Sequence, residues 1–120
     1  MQKKILIVED DPDILMAVAD AMEQEGYEVA AAMDISVGQA LVQQATPDLA
    51  IIDHDLPDGT GEQMLKTLKS SASTRVIMFT GRAQTQIVQT MIDNGIDDYV
   101  LKGTGLDELV SRVKMHAEAA

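Results

Sequence analysis

Five short apolar runs punctuate the chain: Ile5–Val8, Tyr27–Ala31, Leu49–Ile52, Val76–Phe79 and Tyr99–Leu101. They are mostly aliphatic or β-branched, and polar residues do not alternate within them. A strand with one solvated face alternates; a strand covered on both faces does not. The runs therefore read as buried strands of a parallel sheet. Between them, apolar positions recur at helical spacing. Asp11-Pro12 supplies a cap and a first-turn proline, and Ile14, Leu15, Val18, Ala21 and Met22 share one face until Gly26 stops the helix. A second helix starts near Asp34 or Ser36, uses Val37, Ala40 and Leu41, and ends before Thr46-Pro47. A third follows Gly61 with Met64, Leu65 and Leu68 inward. A fourth carries Ile87, Val88, Met91 and Ile92 and stops at Asn94-Gly95, and a fifth runs from about Leu106 with Leu109, Val110 and Val113. Strand followed by helix, five times over, predicts an α/β (βα)5 domain with right-handed crossovers. With no linker, repeat or low-complexity segment between the elements, residues 1–120 read as one domain.

Composition narrows the class. A chain of 120 residues can bury a real core, and none of its apolar runs approaches a membrane span. The amino-terminal MQKKILIVEDD lacks a signal-peptide pattern, because acids follow its short apolar run at once. Cysteine is absent, which excludes disulfides and thiolate metal sites. These features predict a cytoplasmic protein that does not engage membranes. Twenty acidic residues against nine basic ones leave a net charge of −11. That sign disfavours direct nucleic-acid binding, which needs a basic footprint, and suits cations or basic partner surfaces.

The acids are unevenly placed. In open α/β sheets the functional crevice lies beyond the carboxyl ends of the strands, where strand order reverses. The first run leads into Glu9-Asp10-Asp11, the third into Asp53, the fourth into Thr80 and the fifth into Lys102, whereas the second ends in Ala31-Ala32. If the first, third, fourth and fifth strands are neighbours, these side chains converge. Two carboxylates about 5 Å apart repel by roughly 3 kcal/mol at an effective dielectric near 20. Such crowding calls for a cation, and hard oxygen donors without Cys or clustered His suit Mg²⁺. A divalent cation, a lysine and a threonine hydroxyl around one aspartate form a pocket for a dianion, with a phosphoryl group the first candidate. Asp53, at the centre, is the expected nucleophile. Taken singly, each residue has a plainer role. Acids after strands cap helices or form turns, the role expected of Asp11, Asp34 and Asp58. Lys102 alone would be a solvated lysine and Thr80 alone a strand-end turn.

ILIVEDD, LAIIDHDLPDGTG, VIMFTG and DDYVLK, in that order, resemble the motifs of the receiver domain of two-component response regulators, the chemotaxis-regulator-like fold. The resemblance spans essentially the whole chain. It implies a flavodoxin-like three-layer sandwich with sheet order 2-1-3-4-5. It also implies that a sensor histidine kinase or phosphotransfer protein phosphorylates Asp53. Mg²⁺, or Mn²⁺ in its place, would be held by Glu9, Asp10, Asp53 and the backbone carbonyl of Asp55, with Asp10 the more direct ligand of the acidic pair. By the same resemblance Thr80 turns toward the phosphoryl group, Lys102 pairs with it, and Tyr99 changes rotamer on activation. The implied output face is the fourth helix, fifth strand and fifth helix, carrying Val88, Ile92, Leu101, Arg112 and Met115. It would signal to a downstream effector domain or protein, as a monomer or a phosphorylation-dependent dimer. Such a domain is a phosphoacceptor switch that catalyses only its own phosphorylation and dephosphorylation.

The sequence departs from the family pattern after the lysine. Proline, often cis, usually follows it, but here the stretch is Lys102-Gly103-Thr104-Gly105. A trans Lys102–Gly103 peptide or a mobile loop is expected, because cis is costly outside X-Pro. Gly105 replaces the usual cap of the last helix, Gly81 stands at a small-residue position, and Arg82 lies one further on, beside the site. A haloacid-dehalogenase-like phosphatase is the nearest rival, since Asp53-His54-Asp55 imitates its nucleophile-x-acid motif. That family has its aspartate on the first strand, however, and Pro57 occupies the place of its threonine. A non-phosphorylated module on the same fold would normally lose part of the acidic group. A flavin site fits less well, with three aromatic residues and no Ser/Thr-rich loop after the first strand.

Overall fold

The computed structural model describes residues 2–70, 74–81 and 85–118, so Arg82 lies outside the described residues. In chain order the elements are β1 (Lys4–Val8), α1 (Pro12–Gln24), β2 (Glu28–Ala32), α2 (Ile35–Gln44) and β3 (Leu49–Ile52). A two-residue pair follows, β4 (Asp55–Leu56) and β5 (Gly59–Thr60), then α3 (Gly61–Lys69) and β6 (Arg75–Thr80). The chain continues through α4 (Thr85–Asp93) and β7 (Asp98–Leu101), takes a 3₁₀ turn over Lys102–Thr104, and closes in α5 (Leu106–Glu118).

The main sheet has the order β2-β1-β3-β6-β7 with every pairing parallel, which is 2-1-3-4-5 when its five strands are counted alone. The flavodoxin-like expectation is met. Because all three inner strands are covered on both sides, alternate residues feed two cores. Leu6, Val8, Ala50, Ile52, Val76 and Met78 pack against α2, α3 and Met91 of α4. Ile5, Ile7, Leu49, Ile51, Ile77 and Phe79 pack against α1 and α5. Each fully buried aliphatic side chain contributes roughly 1.5–3 kcal/mol, so these two layers hold the strand ends that form the site.

The helix boundaries follow local chemistry. Asp11 accepts from the N–H of Asp13 at 2.9 Å and of Ile14 at 3.3 Å, capping α1. Asp34 accepts from Val37 N at 2.8 Å, capping α2. Gly26 and Gly95 end α1 and α4 at φ of 91° and 102°, a backbone that side chains disfavour.

Three differences from the sequence reading stand out. The second strand starts at Glu28 and not Tyr27, because the parallel register pairs Glu28 with Lys4. The fourth and fifth sheet strands are longer than their apolar cores, extending to Arg75, Thr80 and Asp98. The β4–β5 hairpin was not expected at all, since a two-residue strand has no period to read. The segment after β7 is a closed turn: Thr104 Oγ1 donates to Leu101 O at 2.7 Å and Gly105 N to Lys102 O at 3.5 Å. No cis peptide occurs among the described residues, so the Lys102–Gly103 bond is trans. Among the same residues, no helix is long and apolar enough to cross a membrane.

Candidate functional site

Register brings the strand ends together. Val8 pairs with Ile52, so Glu9 and Asp53 leave the sheet side by side, and Asp53 N donates to Val8 O at 3.0 Å. Ile52 pairs with Met78, and Thr80 pairs with Leu101, which places Thr80 and Lys102 along the same edge. Ligand oxygens of Glu9, Asp10 and Asp53 lie within 4.8 Å of one another. Glu9 and Asp53 are only 3% and 6% exposed, whereas Asp10 faces solvent.

Among the described residues, Lys102 answers this acid. Lys102 Nζ sits 2.6 Å from Glu9 Oε1 and 3.2 Å from Asp53 Oδ2. A second oxygen of Glu9 accepts from Asp11 N at 3.1 Å. Burial pushes the Glu9 carboxyl above its usual range, and the Asp53 charge adds to that push against the lysine. Burial acts to lower Lys102, but its bond to Glu9 and the charges of Asp53 and Glu9 prevail and hold it above the usual lysine value. Among the described residues, three carboxylates with one lysine leave an excess of negative charge around two buried acids.

The donor set fits a hard divalent cation: all-oxygen, crowded, with one member open to water. Residues predicted from sequence to share the site are thus brought together at Glu9, Asp10, Asp53 and Lys102, with Thr80 buried at the end of β6. Asp55 lies in β4, just beyond Asp53, paired with Thr60 across the hairpin. The hairpin is fastened where it meets α3, by Gly61 N donating to His54 O at 2.8 Å and Thr60 N to Gln63 Oε1 at 3.1 Å.

Two further residues belong to the hairpin. His54 is mostly buried, with Nδ1 3.2 Å from Asp55 Oδ1 and Nε2 3.9 Å from Glu62 Oε1. Asp58, expected to cap a helix or form a turn, caps one across the fold: its two oxygens accept from Ile35 N at 2.9 Å and Ser36 N at 3.1 Å. The Ile35 bond foremost, with the Ser36 bond, holds the Asp58 carboxyl below its usual range. The approach of His54 to Glu62 and the Asp58 bonds to α2 depend on tertiary placement, which no local pattern reveals.

The residues expected on the output face divide into groups. Val88 and Tyr99 line a small pocket of about 10 Å³ together with His54 and Thr80, room for about one water. Tyr99 itself is 41% exposed. Tyr99, Leu101 and Arg112 line a shallow groove of about 400 Å³ on the other side. Ile92 and Met115 stand out in solvent at 47% and 54% exposure. Arg112 is held within the chain, by Asp98 oxygens at 2.7 and 2.8 Å and Glu108 Oε1 at 2.9 Å, and His116 Nε2 lies 3.0 Å from Asp98 Oδ2.

Comparison with known proteins agrees with this geometry. Residues 5–114 match the family described as the response regulator receiver domain. The chain is 36% identical over 117 residues to the phosphate regulon transcriptional regulatory protein PhoB of Klebsiella pneumoniae, covering 95% of this chain and 51% of the relative. It is 40% identical over 114 residues to the DNA-binding dual master transcriptional regulator RpaA of Synechocystis, covering 92% and 47%. The chain thus spans about half the length of these curated relatives. Among solved structures, a CheY-like response regulator receiver domain protein from Methanospirillum hungatei superimposes with a TM-score of 0.93 at 32% identity, covering 99% of this chain and 96% of that one. The receiver domain of the Francisella response regulator 1452 gives 0.89 at 28% identity, covering 98% of each chain.

Proposed function

Since the chain belongs to the response regulator receiver domain family of two-component systems, we propose that Asp53 accepts a phosphoryl group from a phosphohistidine of a sensor kinase or phosphotransfer protein. The observation that carries this reading is the convergence of Glu9, Asp10 and Asp53 within 4.8 Å at the strand ends, with Lys102 bonded to two of them. An Asp53 carboxylate oxygen attacks phosphorus, the P–N bond breaks, and the imidazole leaves with the electron pair. The end of β3 holds Asp53 buried, which favours alignment of the attacking oxygen over its solvation. Lys102 supplies a charge-assisted donor to the arriving oxygens, and the Thr80 hydroxyl supplies another. Glu9, Asp10, Asp53 and the Asp55 backbone carbonyl are the residues that would hold Mg²⁺ or Mn²⁺. The cation offsets the negative charge that gathers as two anions meet.

The product carries about 1.5 to 2 negative charges on Asp53. Thr80 and Lys102 respond to that charge, Tyr99 follows by way of the small cavity it shares with Thr80, and the α4–β7–α5 face carries the change outward. The domain is a switch that acts on itself. Its effector is a downstream domain or protein, reached as a monomer or a phosphorylation-dependent dimer in the cytoplasm. The net charge of −11 argues against nucleic-acid contact by this domain itself. The test is incubation with acetyl phosphate and Mg²⁺, followed by intact-mass measurement. Wild type gains one phosphoryl mass and Asp53→Asn gains none; equal labelling of the variant refutes the assignment.

A further inference from the structure

The segment from Asp53 to Gly61 leaves the sheet, folds back on itself as the β4–β5 hairpin and enters α3. Asp58 stands at its tip. Its carboxylate crosses to another part of the chain and takes the first two amides of α2, Ile35 N at 2.9 Å and Ser36 N at 3.1 Å. Those amides belong to the set that a helix start leaves without intrahelical partners. Yet α2 already has a cap of its own, because Asp34 accepts from Val37 N at 2.8 Å. Asp34 takes only the third amide, so Asp58 completes the cap, and because it comes from a distant loop it also ties that loop to α2.

What it adds is a fixed point for the hairpin. Among the described residues, the bonds from Gly61 to His54 and from Thr60 to Gln63 join the hairpin to itself and to the helix that follows. They move with it. Leu56 inserts into the core that includes Ile35, which gives depth but little direction. The paired carboxylate bonds of Asp58 are directional and charge-assisted. They fix the tip against an element that precedes β3 in the chain, and Asp55 lies between that tip and Asp53.

We propose that Asp58 is a positioning residue for the cation site: by bridging the hairpin to the start of α2 it fixes the Asp55 backbone at the spacing from Asp10 and Asp53 that a metal requires. This rests on the phosphoryl-site reading given above. Partners behind the direct ligands commonly govern metal affinity in this way. The bridge also runs in the reverse direction. A cation that orders Asp55 tightens the Asp58 bonds, so the amides of Ile35 and Ser36 report on a site to which neither belongs.

The experiment is Mg²⁺ titration by calorimetry, with amide exchange, on wild type, Asp58→Ala, Asp34→Ala and Asp10→Asn. Asp58 is exposed and α2 keeps its own cap, so Asp58→Ala should fold. Expected are an Mg²⁺ affinity lowered about tenfold in Asp58→Ala, unchanged affinity in Asp34→Ala, and Mg²⁺-slowed exchange at Ile35 and Ser36 in wild type but not in Asp58→Ala. Asp34→Ala is the control for mere loosening of α2. If Asp58→Ala binds Mg²⁺ as wild type does, or Asp34→Ala weakens it equally, the positioning role is wrong. If Asp10→Asn also binds as wild type does, the fault lies with the cation site itself.

Discussion

At the carboxyl-terminal edge of the sheet, Glu9 and Asp53 share Lys102 while Asp10 faces solvent beside them; at the amino-terminal edge, Asp97 meets two cations and a backbone amide. Asp97 accepts from Lys69 Nζ at 3.1 Å, Arg75 Nη1 at 3.4 Å and Val76 N at 2.8 Å. Lys69 also donates to Thr74 O at 2.9 Å, so the cluster closes on itself. Burial alone would raise the Asp97 carboxyl, but the Val76 amide and the two cations hold it below the usual range. Glu9, under burial of its own, is pushed the other way. The same side-chain chemistry thus does opposite work. One edge is neutralised and serves as a clasp between α3, β6 and the start of β7. The other is left short of positive charge and is receptive to a cation.

The largest effect that tests this contrast is metal binding. Mg²⁺ at a hundred times its dissociation constant should stabilise wild type by about 2.7 kcal/mol. Asp10→Asn should lose most of that gain, and Asp97→Ala should keep all of it, as read by thermal melts with and without the ion. Next comes the clasp. Asp97→Ala strands two cations and the Val76 amide, and urea unfolding should show a loss of about 2 kcal/mol. The opposite sign is expected at the other edge. In chelator, Asp53→Asn removes like-charge repulsion while its amide oxygen still meets Lys102, and should raise stability by about 1 kcal/mol, roughly 4 °C in Tm. A destabilised Asp53→Asn would collapse the contrast.

The smallest effect is the pH response. Asp97 and Asp98 lie below their ordinary values in the folded chain, Asp98 because the bonds from Arg112 and His116 outweigh burial. Their contribution is present above the unfolded carboxylate pKa of about 4 and is lost as pH falls through the folded values. Glu9 lies above its ordinary value, so its charge costs stability, and that cost fades as pH falls through the folded pKa. Metal-free protein should therefore gain slightly in stability from neutral toward mildly acidic pH, then lose it steeply below about pH 4. Saturating Mg²⁺ should remove the acidic gain. Urea midpoints across the pH range test both signs.

The buried strands were legible because a strand covered on both faces carries an unbroken apolar run, as Leu49–Ile52 does. The site was legible because those runs end in Glu9, Asp53, Thr80 and Lys102, and strand ends in such a sheet share an edge. Where the signal was tertiary, it was not. The limits of β2 are set by the pairing of Glu28 with Lys4, not by the apolar character of Tyr27. Asp97-Asp98 reads as a polar lead-in to a strand, yet the two residues serve separate clusters, with Lys69 and Arg75 on one side and Arg112 and His116 on the other. Asp58 reads as a helix cap or turn former, but which helix it caps was not legible, because its partners at Ile35 and Ser36 are brought close only by the fold.

The position of β1 between β2 and β3 has a kinetic side. Pairing Lys4 with Glu28, Leu49 with Arg75, or Ile77 with Asp98 closes short loops around single crossover helices. Pairing Ile5 with Leu49 closes the longest loop in the sheet. The added entropy is modest, about 0.6 kcal/mol per doubling of length. That closure, however, also sets Glu9 beside Asp53, whose repulsion at about 5 Å is roughly 3 kcal/mol. On this reasoning charge, more than chain length, is expected to set the cost of joining the two halves. Stopped-flow refolding should be accelerated by Mg²⁺ in wild type and insensitive to it in Asp53→Asn. An ion that instead slows only unfolding would place the meeting of the two acids after the rate-limiting barrier.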